Sequence, residues 1–186
     1  MDGKITSLKQ YNAAVDLIER NLDARAEKIA YIDDRGSYSF AELADRVNRC
    51  ANVLTNLGLP AESRVMVCLL DSIDFPAVFL GAIKAGLVPI AVNTLLTAND
   101  FDFMLHDSRA QALVVSDALL PIFKPILEAQ PFLKATLVAG ERSAGHLQLA
   151  ELMTQASPQF DAAPTRADDP CFWLYSSGST GTPKGT

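Results

Sequence analysis

The sequence has few of the residues that most often build metal centres and nucleophilic triads. It contains two histidines, His106 and His146, and three widely spaced cysteines, Cys50, Cys68 and Cys171, without a CxxC pair. No metal-ligand spacing is present, so no metal site is predicted within the chain, and no Ser/His/Asp arrangement can be argued from position. Because each cysteine stands among apolar residues, we expect three buried, reduced thiols in a cytoplasmic protein.

An excess of positive charge is also missing. The chain has 16 Lys and Arg against 22 Asp and Glu, a net charge of -6. Such a surface repels phosphate backbones, so nucleic acid is not expected as a partner, although a single nucleotide needs only a local site. The first residues show no signal peptide. The longest apolar stretch, residues 75–92, is interrupted by Gly and Pro, which favours a buried helix and strand over a membrane span.

The alternation of apolar patterns predicts an α/β protein with a mainly parallel sheet and helices on both faces. Continuous apolar runs at residues 64–70, 87–92, 112–116 and 135–139 are typical of strands buried on both faces, and amphipathic segments between them predict crossover helices. A turn at residues 34–36 predicts a small N-terminal hairpin. Ser39 with Glu42 fits a capping box, and Thr97 marks another helix start. We divide the chain into an α/β subdomain, residues 1–170, and a strand with its loop, residues 171–186.

The last element carries the candidate chemistry. Residues 171–175, CFWLY, predict a buried strand that opens into the loop SSGSTGTPKG at residues 176–185. Glycines in this loop permit positive φ and close backbone approach, consecutive N–H groups suit anions, and Lys184 adds a full positive charge. The pattern indicates a polyphosphate site, with a flexible Gly/Ser linker as the alternative. The predicted binding residues are Ser176, Ser177, Gly178, Ser179, Thr180, Gly181, Thr182 and Lys184.

Two better-known phosphate loops do not fit this segment. A Walker loop requires Gly, four residues and then Gly-Lys-Ser/Thr, whereas Lys184 here follows Pro183. The spacing of the glycines does not match the GxGxxG pattern of dinucleotide-binding proteins either. The loop therefore indicates a third kind of phosphate site.

That loop resembles the signature of the adenylate-forming superfamily, which includes acyl- and aryl-CoA ligases, peptide-synthetase adenylation domains and luciferases. The longer run FWLYSSGSTGTPKGT, with Trp173 where the broad family more often has an aliphatic residue, is similar to the version in benzoate and 4-hydroxybenzoate CoA ligases. A second block, residues 79–116, resembles the same subgroup, especially VNTLLT at residues 92–97. The resemblance covers essentially the whole chain.

The resemblance implies an acid–thiol ligase that works in two steps. An aromatic carboxylic acid, with benzoate and 4-hydroxybenzoate both left open, attacks the α-phosphate of ATP in the presence of Mg²⁺, and coenzyme A then displaces AMP. Negative charge grows on the leaving pyrophosphate, so donors aimed at it lower the barrier. By motif match this role falls to the loop residues named above, with Lys184 as the implied catalytic residue.

The chain departs from the family in length, because family members are well over twice as long. The aryl pocket, the adenine and ribose motifs, the acidic magnesium ligand and the mobile C-terminal domain are implied to lie beyond Thr186. We expect an N-terminal portion, inactive alone, that forms a homo-oligomer or pairs with the missing part, and no strand after the loop. The alternatives are a fatty acyl-CoA ligase or amino-acid adenylation domain, a non-catalytic interaction module, and a simple nucleotide-binding module.

Overall fold

The computed structural model describes residues 9–176 and 183–186, in which helices and short strands alternate. The helices are α1 (Ala13–Ile18), α2 (Leu22–Arg25), α3 (Phe40–Asn56), α4 (Asp74–Lys84), α5 (Ala98–Ser108), α6 (Leu120–Leu127) and α7 (Leu149–Gln155), with a 3-10 turn at Glu19–Asn21. The strands are β1 (Ile29–Asp33), β2 (Gly36–Ser39), β3 (Arg64–Cys68), β4 (Val88–Ala91), β5 (Ala112–Ser116), β6 (Ala135–Ala139), β7 (Leu147–Gln148), β8 (Trp173–Ser176) and β9 (Lys184–Gly185). None of the helices in these two ranges is long and apolar enough to cross a membrane.

Strands β3 to β9 form one sheet in the order β7-β6-β5-β3-β4-β8-β9. Every neighbouring pair up to β8 is parallel, and β9 runs antiparallel to β8. The chain therefore passes from β3 to β4, crosses back to β5 and returns much later to place β8 beside β4. The predicted α/β class with a mainly parallel sheet is confirmed.

Each face of the sheet has its own layer of helices. In the central strand β3, Val65 and Val67 pack with α3, α4 and α7, whereas Met66 and Cys68 pack with α5 and α6. All four side chains are fully buried. A strand covered on both faces has no solvent-exposed face, and its sequence is therefore a nearly unbroken apolar run.

Two of the helices begin with reciprocal capping boxes, as their sequences predict. At α3 the Ser39 N–H donates to Glu42 Oε2 at 2.7 Å, and the Glu42 N–H donates to Ser39 Oγ at 3.3 Å. At α5 the Thr97 N–H donates to Asp100 Oδ2 at 2.9 Å, and the Asp100 N–H donates to Thr97 Oγ1 at 3.3 Å. Each box satisfies backbone donors that have no partner within the helix.

The predicted hairpin is present and is attached to the main body through one carboxylate. Strands β1 and β2 are antiparallel, and Asp33 at their turn accepts from the N–H groups of Arg35 and Gly36 at 2.9 and 3.1 Å. Its other oxygen accepts from the Ile73 N–H at 2.9 Å, just before α4. Asp33 therefore links the hairpin to the start of α4.

The connection from α7 to β8, residues 156–172, crosses the molecule from one edge of the sheet to the other. Amide side chains of α3 bind its backbone: Asn48 donates to the Pro158 carbonyl at 2.8 Å, and Asn52 donates to the Ser157 carbonyl at 2.9 Å. Further along, the buried Asn12 donates to Thr165 Oγ1 at 3.3 Å. These bonds fix the path that delivers β8 to its place beside β4.

The end of the chain differs from its sequence-based expectation in four ways. Strand β8 begins at Trp173 rather than at residue 171, and it is not buried, because Leu174 is 46% exposed. Cys171 is half-buried, whereas Cys50 and Cys68 are buried as expected. A strand does follow the loop, namely β9. The apolar pattern could not distinguish a central strand from one near the sheet edge, where helices cover less of both faces.

Candidate functional site

Strands β8 and β9 bracket the predicted phosphate loop at the carboxyl edge of the sheet. Their register pairs Ser176 with Lys184 and Tyr175 with Gly185, and the backbones of Leu174 and Thr186 exchange hydrogen bonds of 2.9 and 2.8 Å. Since β8 is parallel to β4, its end lies at the edge where all the parallel strands end. In open α/β sheets this edge is where ligands bind.

Of the predicted binding residues, the structure describes two and places them opposite each other. Ser176 and Lys184 are directly paired and both exposed. Residues directly opposite in an antiparallel pair project to the same face with Cβ atoms about 4.5–5.5 Å apart, so the side chains of Ser176 and Lys184 leave the same face of the strand pair. The other predicted residues, Ser177, Gly178, Ser179, Thr180, Gly181 and Thr182, lie outside the described residues.

Trp173 packs against Gly185 on the opposite face of this strand pair. A Cβ atom at position 185 would stand 2.2 Å from the indole Nε1 and 2.4 Å from Cε2. The same indole is stacked with the ring of Tyr175, with centroids 6.0 Å apart and planes within 12°. Glycine at 185 is therefore a steric requirement of the tryptophan, and together they set how closely β9 approaches β8.

Tyr175 joins the end of strand β8 to the last turn of helix α5. Its hydroxyl donates to Asp107 Oδ2 at 2.6 Å and lies 3.4 Å from the Met104 carbonyl oxygen. Burial raises the pKa of the Tyr175 phenol, and the hydrogen bond to Asp107 and the negative charge of that carboxylate raise it further, against a smaller opposing effect of Ser108. The phenol therefore stays protonated at neutral pH and remains a donor.

The second sequence block that resembles aryl-CoA ligases lies next to the loop. Strand β4 pairs with β8 through Ile90 with Trp173 and Ala91 with Leu174. The segment NTLLT, residues 93–97, begins two residues after the end of β4, and the predicted loop follows β8 directly. The Asn93 side chain accepts from the Leu95 N–H at 2.9 Å, and Leu95 itself is 89% exposed. Since β4 and β8 are parallel neighbours, the two motifs follow adjacent strands at the same edge of the sheet.

The donors at this edge fit phosphate oxygens rather than a metal ion. Lys184 supplies a positive charge and Ser176 a hydroxyl donor, both open to solvent. The Asp107 carboxylate in the last turn of α5 is engaged by Tyr175. No group of three His, Cys, Asp or Glu side chains within residues 9–176 and 183–186 is arranged to hold a metal ion.

Sequence reasoning missed the contacts that hold the loop's ends. Trp173 was noted only for its unusual identity, and Tyr175 and Asp107 were not singled out. A signal for the first pair does exist, because Trp173 and Tyr175 alternate with exposed residues and so share one face of the strand. No sequence signal marks Asp107, whose partner is 68 residues away.

A parallel α/β sheet that is followed by a Gly- and Ser-rich segment at its carboxyl edge is an arrangement that many nucleotide-binding α/β proteins share. Comparison with known proteins narrows this class. Residues 18–186 match the family described as AMP-binding enzyme, and the chain belongs to that family. The predicted resemblance to adenylate-forming enzymes is confirmed.

Two curated relatives are aryl-CoA ligases. The chain is 61% identical over 180 residues to the benzoate–CoA ligase of Thauera aromatica, covering 96% of this chain and 34% of that protein. It is 42% identical over 179 residues to the 4-hydroxybenzoate–CoA/benzoate–CoA ligase of Rhodopseudomonas palustris, covering 96% and 33%. The chain thus spans about a third of the length of these relatives.

Solved structures agree with this relationship. An anthranilate CoA ligase in complex with anthranoyl-AMP superposes with a TM-score of 0.91 at 34% identity, covering 95% of this chain and 34% of that one. A benzoate CoA ligase from Burkholderia xenovorans LB400 superposes with a TM-score of 0.84 at 40% identity, with the same two coverages. The predicted N-terminal fold of an adenylate-forming enzyme is confirmed by these neighbours.

Proposed function

We propose that this chain is the N-terminal portion of an ATP-dependent aryl-CoA ligase that acts on benzoate or a hydroxybenzoate. The observation that carries the proposal is the 61% identity to a benzoate–CoA ligase across 180 residues. The NTLLT segment and the Ser/Gly-rich loop follow the neighbouring parallel strands β4 and β8, which supports it. Residues 1–170 would form an α/β subdomain and residues 171–186 the strand and phosphate loop, and the activity would require the rest of the relatives' length.

The proposed chemistry begins with the acid carboxylate attacking the α-phosphate of ATP. The acyl-adenylate forms, pyrophosphate leaves, and the thiol of coenzyme A then displaces AMP to give the thioester. In the first step negative charge grows on the β- and γ-phosphate oxygens, and an ammonium group fixed beside them stabilises that charge more than it stabilises the ground state. We assign this catalytic role to Lys184.

The remaining loop positions would bind the phosphates. We assign this role to Ser176 and, on the strength of the motif, to Ser177, Gly178, Ser179, Thr180, Gly181 and Thr182. Mg²⁺ would neutralise phosphate charge when bound, and the family resemblance implies that its acidic protein ligand lies beyond Thr186 in the complete protein. We place the complete enzyme in the cytoplasm, in aromatic acid degradation, with an aromatic acid and coenzyme A as its partners.

The test is ATP–pyrophosphate exchange by the complete protein that carries these residues. Exchange should require an aromatic acid, and Lys184→Met should lower its rate about 10²–10³-fold, as removal of one donor to a developing charge does in other enzymes. Lys124→Met is the matched control, because Lys124 is an exposed lysine on α6, and it should leave the exchange unchanged.

The other outcomes separate the competing functions. Exchange that depends on fatty or amino acids, with none on aromatic acids, would keep the family and overturn the substrate class. Absence of exchange with every acid would overturn the ligase proposal itself.

A further inference from the structure

The carboxyl end of β8 is weakly held by its own backbone. Its pairing with β4 covers Trp173 and Leu174 and goes no further. Beyond that point, Tyr175 and Ser176 pair with the two residues of β9, which lies at the edge of the sheet. Among the described residues, the strand partner of Ser176, which opens the loop, is therefore Lys184 on the edge strand β9 and not a residue of β4.

A side-chain contact ties this end of β8 to helix α5. The Tyr175 hydroxyl donates to Asp107 Oδ2 at 2.6 Å, a well-formed bond between a half-buried phenol and an exposed carboxylate. Asp107 stands in the last turn of α5, a helix anchored in the core by Phe101 and Leu105, which are 0% and 2% exposed. The Tyr175 ring also packs at the margin of this same core cluster. The bond thus connects the residue immediately before the loop to a helix anchored in the core.

We propose that Tyr175 and Asp107 are a positioning pair that holds the amino-terminal end of the phosphate loop against α5. The inference rests on the function proposed above and names a further determinant of the same site. Neither residue is placed against reacting atoms, so the pair acts through the geometry of Ser176 and the loop that follows. Its loss is expected to weaken the handling of ATP and pyrophosphate, and to leave the binding of the acid largely unchanged.

The expected fall in kcat/KM for ATP can be estimated from the effect of displacing a group that positions a substrate. A displacement of about 1 Å in a group that positions a substrate can lower a rate about 10²-fold. Because stacking on Trp173 would still restrain the ring, we expect a smaller change, with kcat/KM for ATP reduced about tenfold. The KM for the acid should change less than about twofold, because the pair is proposed to position the phosphate loop and not to bind the acid.

The experiment uses ATP–pyrophosphate exchange by the complete protein with four variants. Tyr175→Phe removes the donor, and Asp107→Ala removes the acceptor. Asp107→Asn keeps an acceptor oxygen and should retain more of the wild-type activity than Asp107→Ala. The double variant Tyr175→Phe/Asp107→Ala should be no worse than either single variant, because the same bond is lost in all three.

The matched control is Tyr11→Phe. The Tyr11 hydroxyl donates to Asp16 Oδ2 at 3.1 Å, so this variant removes a tyrosine–carboxylate bond of the same kind on the exposed surface of α1. It should not change the KM for ATP. Thermal unfolding of every variant should lie within a few degrees of the wild type, which separates positioning from loss of fold.

The possible results distinguish three cases: the pair positions the loop, the pair has no such role, or the proposed ligase function itself fails. A fall in kcat/KM for ATP with an unchanged KM for the acid, partial rescue in Asp107→Asn and a non-additive double variant support the pair. A normal ATP response in Tyr175→Phe, or equal losses for ATP and acid, would overturn the pair while leaving the ligase function in place. Absence of acid-dependent exchange in the wild type would overturn the proposed function, and with it this inference.

Discussion

Replacing Gly185 by alanine adds one methyl group at a point where the indole of Trp173 already lies. The new Cβ would stand 2.2, 2.4 and 2.5 Å from three atoms of the indole. Carbon atoms in favourable contact are about 3.5–4.0 Å apart, so the ring and strand β9 must separate by about 1 Å or more. The indole also stacks on Tyr175, which limits its freedom to move aside.

The steric penalty of the added methyl group is similar in size to the stabilisation that the hydrogen bonds between β8 and β9 provide. Forcing a methyl group into a filled site costs about 1–3 kcal/mol. Strand β9 is held to β8 by the reciprocal bonds of Leu174 and Thr186 at 2.9 and 2.8 Å, and two such bonds contribute about 1–3 kcal/mol together. The methyl group therefore removes about as much as these bonds supply, and we expect β9 to detach in a large fraction of molecules while the rest of the sheet stays folded.

Intrinsic fluorescence measures this directly, because Trp173 is the one tryptophan among the 186 residues. In Gly185→Ala its emission should shift to longer wavelength as the indole gains water contact. Thermal unfolding of the remainder should shift by about 2–4 °C per kcal/mol for a domain of this size, and thus by no more than the contribution of β9.

Gly58→Ala serves as the matched control for this experiment. Gly58 has φ of +68° and no atoms within 4 Å of the added Cβ, so the variant suffers backbone strain alone. It should lower overall stability slightly and leave the tryptophan emission unchanged. An unshifted emission in Gly185→Ala would refute the packing argument, as would an equal shift in Gly58→Ala.

Three further predictions concern the body of the fold. Phe123→Ala should lower the free energy of unfolding by about 3–5 kcal/mol, because the ring is fully buried and stacked at 4.4 Å on its α5 neighbour; urea unfolding should show a far smaller loss for the 40% exposed Phe132. The hydrogen bonds from Thr97 lower the pKa of Asp100, so its contribution to stability is present above the unfolded pKa and is lost as pH falls through the lower folded pKa; Asp100→Asn should flatten the acid limb of a stability–pH curve, and an unchanged limb contradicts this. Lys84→Met should lower the free energy of unfolding by about 1–2 kcal/mol, because the buried ammonium donates to Asn48 Oδ1 at 2.6 Å as well as to Glu19, and Glu19 is half-exposed and can return to water; a loss above about 3 kcal/mol in urea unfolding would contradict that.

Local rules explain why much of the fold could be predicted. The capping box of Ser39 and Glu42 depends on residues three apart, and the apolar run around Val65 depends on burial of one strand on both faces. The hairpin similarly needs only its own turn. Each of these features depends only on residues that are close together in the sequence.

The features that were not predicted depend on distant partners. Strand β9 lies over the Trp173 indole at a position where only glycine fits, and Tyr175 bonds to Asp107, which precedes it by 68 residues. Strand order cannot be read from periodicity, so it became visible only with β8 placed beside β4 that the NTLLT segment and the loop follow neighbouring strands. The exposure of Leu174 likewise follows from position near the sheet edge rather than from its apolar character.

The central claim, that the complete protein activates an aromatic acid as its adenylate, is tested most directly by isotope transfer. Benzoate labelled with ¹⁸O in its carboxylate would be converted with ATP and coenzyme A, and the phosphate products analysed by mass spectrometry. Attack of the carboxylate on the α-phosphate predicts one labelled oxygen in AMP and unlabelled pyrophosphate. Label in inorganic phosphate with formation of ADP, or no conversion of benzoate or any hydroxybenzoate, would contradict the account.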